Sequence, residues 1–141
     1  MENRLPFVTA ALICENVIEE KTGSLTVVRI ADRIDYEVEG MPQGMKPAIS
    51  LKGLLSLKSG SLKGDFTVRI QAVRPSGEKR GDPIVVPVKL LGGDHGVNTI
   101  LNITLGVEEE GLHWFDVYFE NDLISRIPLM LVQRQRQPEL K

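Results

Sequence analysis

The side chains able to do chemistry are few and scattered. Cys14 lies in the apolar run ALICE, where a thiol reads as a small inert core residue, not as an activated nucleophile. The segment GGDHG, residues 92–96, sets Asp94 beside His95, a pair that can orient an imidazole for acid–base work or for a metal. Two such residues without further ligands do not hold an ion, so a glycine-rich turn between strands is the simpler reading. Glu108, Glu109 and Glu110 run together before Gly111. Calcium needs oxygens converging from spaced positions, whereas neighbouring glutamates point in different directions, and this run reads as a solvated turn. No Walker loop, dinucleotide fingerprint, paired metal-ligand motif or aromatic-interleaved basic stripe occurs. The expectation is a protein that is not an enzyme, with no catalytic, cofactor-binding or metal-binding residues and no cofactor.

Charge sharpens this. The net charge of −2 supplies no field for nucleic acid or anionic lipid, so neither is expected as a partner. Locally the balance is uneven: residues 1–40 sum to −4, residues 41–90 to +6, residues 91–132 to −6 and the remainder to +2. Part of the basic middle is a quasi-repeat, Ser50-Leu51-Lys52-Gly53, Ser56-Leu57-Lys58 and Ser61-Leu62-Lys63-Gly64. It alternates like a strand, not like a phosphate-cradling loop, and suggests a lysine-studded sheet edge. A sharper reading is that basic and acidic segments meet across a subunit contact or that the basic one docks an acidic partner.

The elements that must position these residues are strands. The 141 residues suit one domain, and 42% hydrophobic with only 5% aromatic content implies an aliphatic, β-branched core. In DFTVRIQAVRPSG, Phe66, Val68, Ile70 and Ala72 alternate with Thr67, Arg69 and Gln71 before a Pro75-Ser76-Gly77 turn. The same alternation holds over Ile49–Leu57, Ile84–Leu90 and Thr99–Val107, each read as a separate strand. Pro87 lacks a donor, which places its strand at an edge or leaves it paired on one side only. Phe7–Glu19 and Leu25–Ile34 read as a hairpin across Lys21-Thr22-Gly23-Ser24. Asp35–Pro47 reads as a long loop connecting two sheets. With no amphipathic helix, the fold class is all-β: a two-sheet antiparallel β-sandwich, an immunoglobulin-like Greek key of about seven to eight strands.

Two boundaries complete the outline. Arg4 precedes an apolar run ending in ALIC, as in a lipoprotein signal. Leu5–Cys14 is too short to span a membrane, Glu2 spoils a basic leader, and Ile13 is bulky where cleavage wants a small residue. A buried first strand is expected instead. With a single cysteine, residence in a reducing cytoplasm is expected too. Residues 1–132 form the expected single domain, and 133–141, QRQRQPELK, a fraying tail.

The segment GLHWFDVYFENDLISRIPLML, Gly111–Leu131, is apolar on two faces. A three-residue loop, Glu120-Asn121-Asp122, pairs Phe119 with Leu123, Val117 with Ser125, Phe115 with Ile127 and His113 with Leu129 on the inner face. The outer face then pairs Tyr118 with Ile124, Asp116 with Arg126, Trp114 with Pro128 and Leu112 with Met130, with Asp122 taking the left-handed position. Trp114, Tyr118, Ile124 and Met130 around the Asp116–Arg126 pair form the candidate interaction surface, covered by a partner, by a second copy, or by the tail or a long loop of the chain itself.

Together, ALICENVIEEKTGSLTVVRIADRI, GDFTVRIQAVRPSG and GLHWFDVYFENDLISRIPLML resemble a group of small bacterial proteins catalogued only as a domain of unknown function. They also resemble immunoglobulin-like sandwiches, although this chain lacks the paired cysteines and buried central Trp of antibody domains. The resemblance implies a fold and a bacterial source and carries over no catalytic residue. The functional expectation is a noncatalytic protein-interaction or self-association module, with a homodimer as one form of it. The alternative is a small-ligand or carbohydrate-binding sandwich using end loops 35–47 and 92–96.

Overall fold

Alternating apolar and polar residues leave the chain one economical way to bury its aliphatic side chains, and it takes that way throughout. A computed structural model of the protein describes residues 4–38, 41–42 and 44–134. Among the described residues there are seven strands and no helix: β1 Phe7–Glu19, β2 Leu25–Ile30, β3 Arg33–Tyr36, β4 Ala48–Val73, β5 Lys79–Gly106, β6 Gly111–Phe119 and β7 Asp122–Gln133. They form one mixed sheet in the order β2-β1-β4-β6-β7-β3, with β5 paired to β4 off this path.

Every pairing is antiparallel except β3 with β7, which runs parallel from Arg33↔Met130 to Tyr36↔Gln133. The expectation of a wholly antiparallel arrangement fails here for a simple reason. The expected strand Leu25–Ile34 breaks at Ala31-Asp32, and its two parts pair with different strands, Leu25–Ile30 with β1 and Arg33–Tyr36 with β7. Ala31 N–H still donates to Ile13 O at 2.7 Å while Asp32 O accepts from Met130 N–H at 2.9 Å, so the chain passes from β1 to β7 without turning back. Gln133, expected to begin the tail, closes β7, and Arg134 N–H donates to Tyr36 O at 2.7 Å. Residues 135–141 lie outside the described residues.

Four expected segments merge into two long strands. Ile49–Leu57 and Phe66–Ala72 both belong to β4, and Ile84–Leu90 and Thr99–Val107 both belong to β5. β4 pairs β1 along Lys52–Lys58 and β6 along Val68–Val73, with β5 beside it throughout. Between those halves the β4–β5 register shifts at Lys58/Gly60 and again at Gly60/Lys63. Gly60 takes φ +60°, and a Cβ there would lie 2.9 Å from the Phe7 ring, so the corner needs a residue without one. GGDHG, expected as an end loop, is on the other side of this corner within β5.

Two units of the lysine repeat are not on an edge: over Lys52–Lys58 β4 runs between β1 and β5, with Leu51 and Leu57 facing the core while Lys52 and Lys58 face out, whereas Lys63 lies where β4 pairs only with β5 among the described strands. Lys52 Nζ donates to Asn102 Oδ1, and Lys58 Nζ to Asp94 O at 3.1 Å. Pro87 is placed as expected, on β5, which pairs only with β4 among the described strands.

Both halves of β4 and β5 feed one buried cluster. Leu51, Leu55 and Leu57 with Leu101, Ile103 and Leu105 come from one half; Val68, Ile70, Val88 and Leu90 come from the other. Phe115, Val117 and Phe119 of β6 and Ile127, Leu129 and Leu131 of β7 complete it. Full burial of such a side chain contributes roughly 1.5–3 kcal/mol, so this cluster is the main source of stability and the fixed base for the β6–β7 hairpin.

Candidate functional site

From Gly111↔Leu131 to Val117↔Ser125 the β6–β7 pairing follows the expected register, including Phe115↔Ile127, Trp114↔Pro128 and Asp116↔Arg126. At the tip it shifts. Tyr118 pairs with Leu123 and Phe119 with Asp122, which leaves a two-residue turn, Glu120-Asn121, and a bulge at Val117/Tyr118. The left-handed residue is Glu120, φ 52°, not Asp122. One observation accounts for the shortening: Glu120 N–H donates to Thr67 O at 2.9 Å and Glu120 O accepts from Arg69 Nη2 at 3.1 Å, so β4 holds the turn from the side.

Because side chains alternate, this one-residue shift exchanges two neighbours. Ile124, expected on the outer face, packs against the buried cluster, while Leu123, expected inside, is 48% exposed. The outer face therefore carries Trp114, Tyr118, Leu123 and Met130, with Trp114, Tyr118 and Met130 half-buried.

Arginines do much of the covering. Arg126 Nε donates to Asp116 Oδ1 at 2.7 Å, and its guanidinium carbon sits 4.5 Å from the centre of the Trp114 ring. A cation over an indole is attracted by the ring quadrupole, so one side chain both neutralises the carboxylate and lids the aromatic. Arg69 of β4 repeats the arrangement on Tyr118 at 5.8 Å, a longer and weaker contact. The Asp116 side chain is only 11% exposed and that of Arg126 45%, so the pair is half sheltered, with the cation outermost.

Arg69 was not singled out in the sequence, although its outward place in the Thr67, Arg69, Gln71 alternation was the available signal. Neighbouring Gln71 is buried, and its Nε2 donates to Ala72 O, Arg80 O and Gly81 O at 2.9, 3.1 and 3.2 Å.

The catalytic candidates do not assemble. Cys14 is fully buried, and burial pushes its thiol above the ordinary value, partly offset by a backbone hydrogen bond at Asn16. His113 is buried with Nε2 3.0 Å from Glu109 O, a structural contact; His95 is on β5 in the far half of the sheet. Among the described residues, no three His, Cys, Asp or Glu side chains are placed to hold a metal ion. Glu108, read as part of a solvated turn, is instead a hub: Arg74 lies at 3.1 Å, Lys46 at 3.4 Å and Arg80 at 3.9 Å. The hydrogen bond and charge of Lys46, then the charges of Arg74 and Arg80, hold its carboxyl below the usual glutamate range.

A family model described as a family of unknown function, DUF6941, matches residues 9–132, from the first strand through the hairpin. The chain belongs to this family. No curated protein matches this chain. Among solved structures, the β-glucosidase from Listeria innocua is similar at 8% identity and a TM-score of 0.47, over 90% of this chain and 16% of that one. The same enzyme in complex with glucose gives 9% identity and a TM-score of 0.46, over 72% of this chain and 15% of that one. The chain spans about one-sixth of the length of those structures. Among its described residues no helix is long and apolar enough to cross a membrane.

Proposed function

We propose that this chain is a noncatalytic domain that acts through protein contact, with a second copy of itself as the partner, and that the outer face of β6–β7 is the contact. The observation that carries the reading is the exposed Leu123 paired with Tyr118 on the face that also carries Trp114 and Met130, with Arg126 and Arg69 stacked on the two rings. Trp, Tyr and Arg are the residues that most often dominate the energy of protein contacts, and Met is enriched there. The +6 of residues 41–90 and the −6 of residues 91–132 give one chain both signs of charge, which would favour the approach of a second copy.

In this reading the finer architecture is an immunoglobulin-like two-sheet sandwich with Greek-key connections, bent at the Gly60 corner so that both halves of β4 and β5 close on the one buried cluster. A reducing bacterial cytoplasm suits the buried free thiol of Cys14. Light scattering coupled to size exclusion is the test, comparing the protein with Trp114→Ala and Leu123→Ser variants across a concentration series. A mass that rises with concentration and falls back in the variants supports the contact.

A second reading is small-ligand or carbohydrate binding by segments 35–47 and 92–96, of which residues 39, 40 and 43 lie outside the described residues; a cavity lined by Ile70 and Ile103 offers another place for a small ligand.

A further inference from the structure

The β4–β5 ladder is interrupted a second time, between Ile70 and Ala72. Ile70 pairs with Ile84 and Ala72 with Arg80, so Gly81, Asp82 and Pro83 stand opposite the single residue Gln71. A bulge of this size bends its strand and opens space beside it. The buried Gln71 amide spans the bulge, donating to the carbonyls of Arg80 and Gly81. The space is a cavity of about 230 Å³. Its apolar lining comes from both halves of the sheet, Ile70, Ile84 and Phe115 with Ile103 and Leu105, and Thr104 adds a hydroxyl.

Two charged residues line it. Asp82 is exposed to water, where its charge is screened. Arg80 is not: its side chain is 16% exposed, and its nearest carboxylate, Glu108, stands 3.9 Å away and is shared with the closer Arg74 and Lys46. Three cations around one carboxylate leave positive charge in excess, and the most sheltered of the three faces the cavity. A guanidinium withdrawn from water and loosely paired is stabilised by a further anion. Benzene fills an engineered apolar cavity of roughly 150 Å³, so this one admits an aromatic ring together with a carboxylate.

We propose that this cavity is a binding site for a small monocarboxylate with a compact apolar body, the carboxylate on Arg80 and the body among Ile70, Ile84, Ile103 and Phe115. The site is on the core side of the sheet and stands whether or not the outer face of β6–β7 associates.

Benzoate is a suitable probe, with benzyl alcohol and benzylammonium as neutral and cationic counterparts, followed by methyl NMR of the full chain. Saturable shifts of the Ile70, Ile84, Ile103 and Leu105 methyls are expected with benzoate in the millimolar range. Benzyl alcohol should bind roughly tenfold or more weakly and benzylammonium not detectably. Arg80→Gln should weaken benzoate by a similar factor while leaving benzyl alcohol unchanged. Ala72→Leu, which adds bulk at the wall, should remove the binding of both. Absence of saturable shifts in the unaltered protein overturns the site, as do shifts of equal size with benzylammonium. These two results need no variant to fold.

Discussion

Arg126 binds Asp116 at 2.7 Å and in the same pose covers Trp114 at 4.5 Å. That relationship explains how one hairpin carries apolar groups on both faces without leaving them bare. It also sets a first prediction. Arg126→Ala strands a sheltered carboxylate and uncovers the indole, and should destabilise the fold by about 1–3 kcal/mol. The paired change Asp116→Leu with Arg126→Met should recover more than half of that loss in urea unfolding. A cost for the single variant under about 0.5 kcal/mol would place the pair among ordinary surface contacts.

Glu120 occupies a left-handed conformation, φ 52°, that costs a side-chain-bearing residue about 1–2 kcal/mol. Both hydrogen bonds that hold it are made by its backbone. Glu120→Gly keeps them and removes the strain, at a conformational-entropy cost of about 0.5–1 kcal/mol. The expected result is a modest net gain, up to about 1 kcal/mol. A clear loss in chemical unfolding would show that the Glu120 side chain itself holds the turn.

Glu108 supplies a pH signature. Its folded carboxyl is held below the ordinary value of 4.5, chiefly by the hydrogen bond and charge of Lys46. A depressed folded value means the carboxylate's stabilisation is fully present above about pH 4.5 and is lost as the pH falls through the lower folded value. Glu108→Gln should therefore lower stability near neutral pH, and the gap from the unaltered protein should close in acid. A gap that stays constant from pH 7 to below the folded value would remove Glu108 from the cluster's electrostatics.

Gly96 tests the corner. A Cβ there would come within 2.5 Å of Leu57 O, a backbone atom that cannot swing away. Gly96→Ala should cost about 1–3 kcal/mol by overpacking. Thermal unfolding of the variant at the native midpoint would contradict the close approach of the two strands.

Much of the fold was legible because alternation is a strong local signal. The inner face of the hairpin, the Pro75-Ser76-Gly77 turn and the placement of Pro87 all follow from it. What alternation cannot show is continuity. Lys58–Gly64 and Leu91–Gly96 have the glycine content of a turn, and only long-range pairing between them reveals a corner inside two unbroken strands. The tip of the hairpin was misread for the same reason: Thr67 and Arg69 of a distant strand, not the local sequence, choose between two and three turn residues. That choice moved Ile124 inward and Leu123 outward. The Glu108 hub was hidden too, since Lys46, Arg74 and Arg80 reach it from three separate segments.

Whether the β6–β7 outer face joins two copies is decided by molar mass in solution. Light scattering should show the mass climbing from the 15.7 kDa monomer toward twice that value as concentration rises. Trp114→Ala combined with Leu123→Ser should stay at the monomer mass under the same conditions. A protein that remains monomeric throughout, or a double variant that associates as well as the unaltered chain, would contradict the proposed contact.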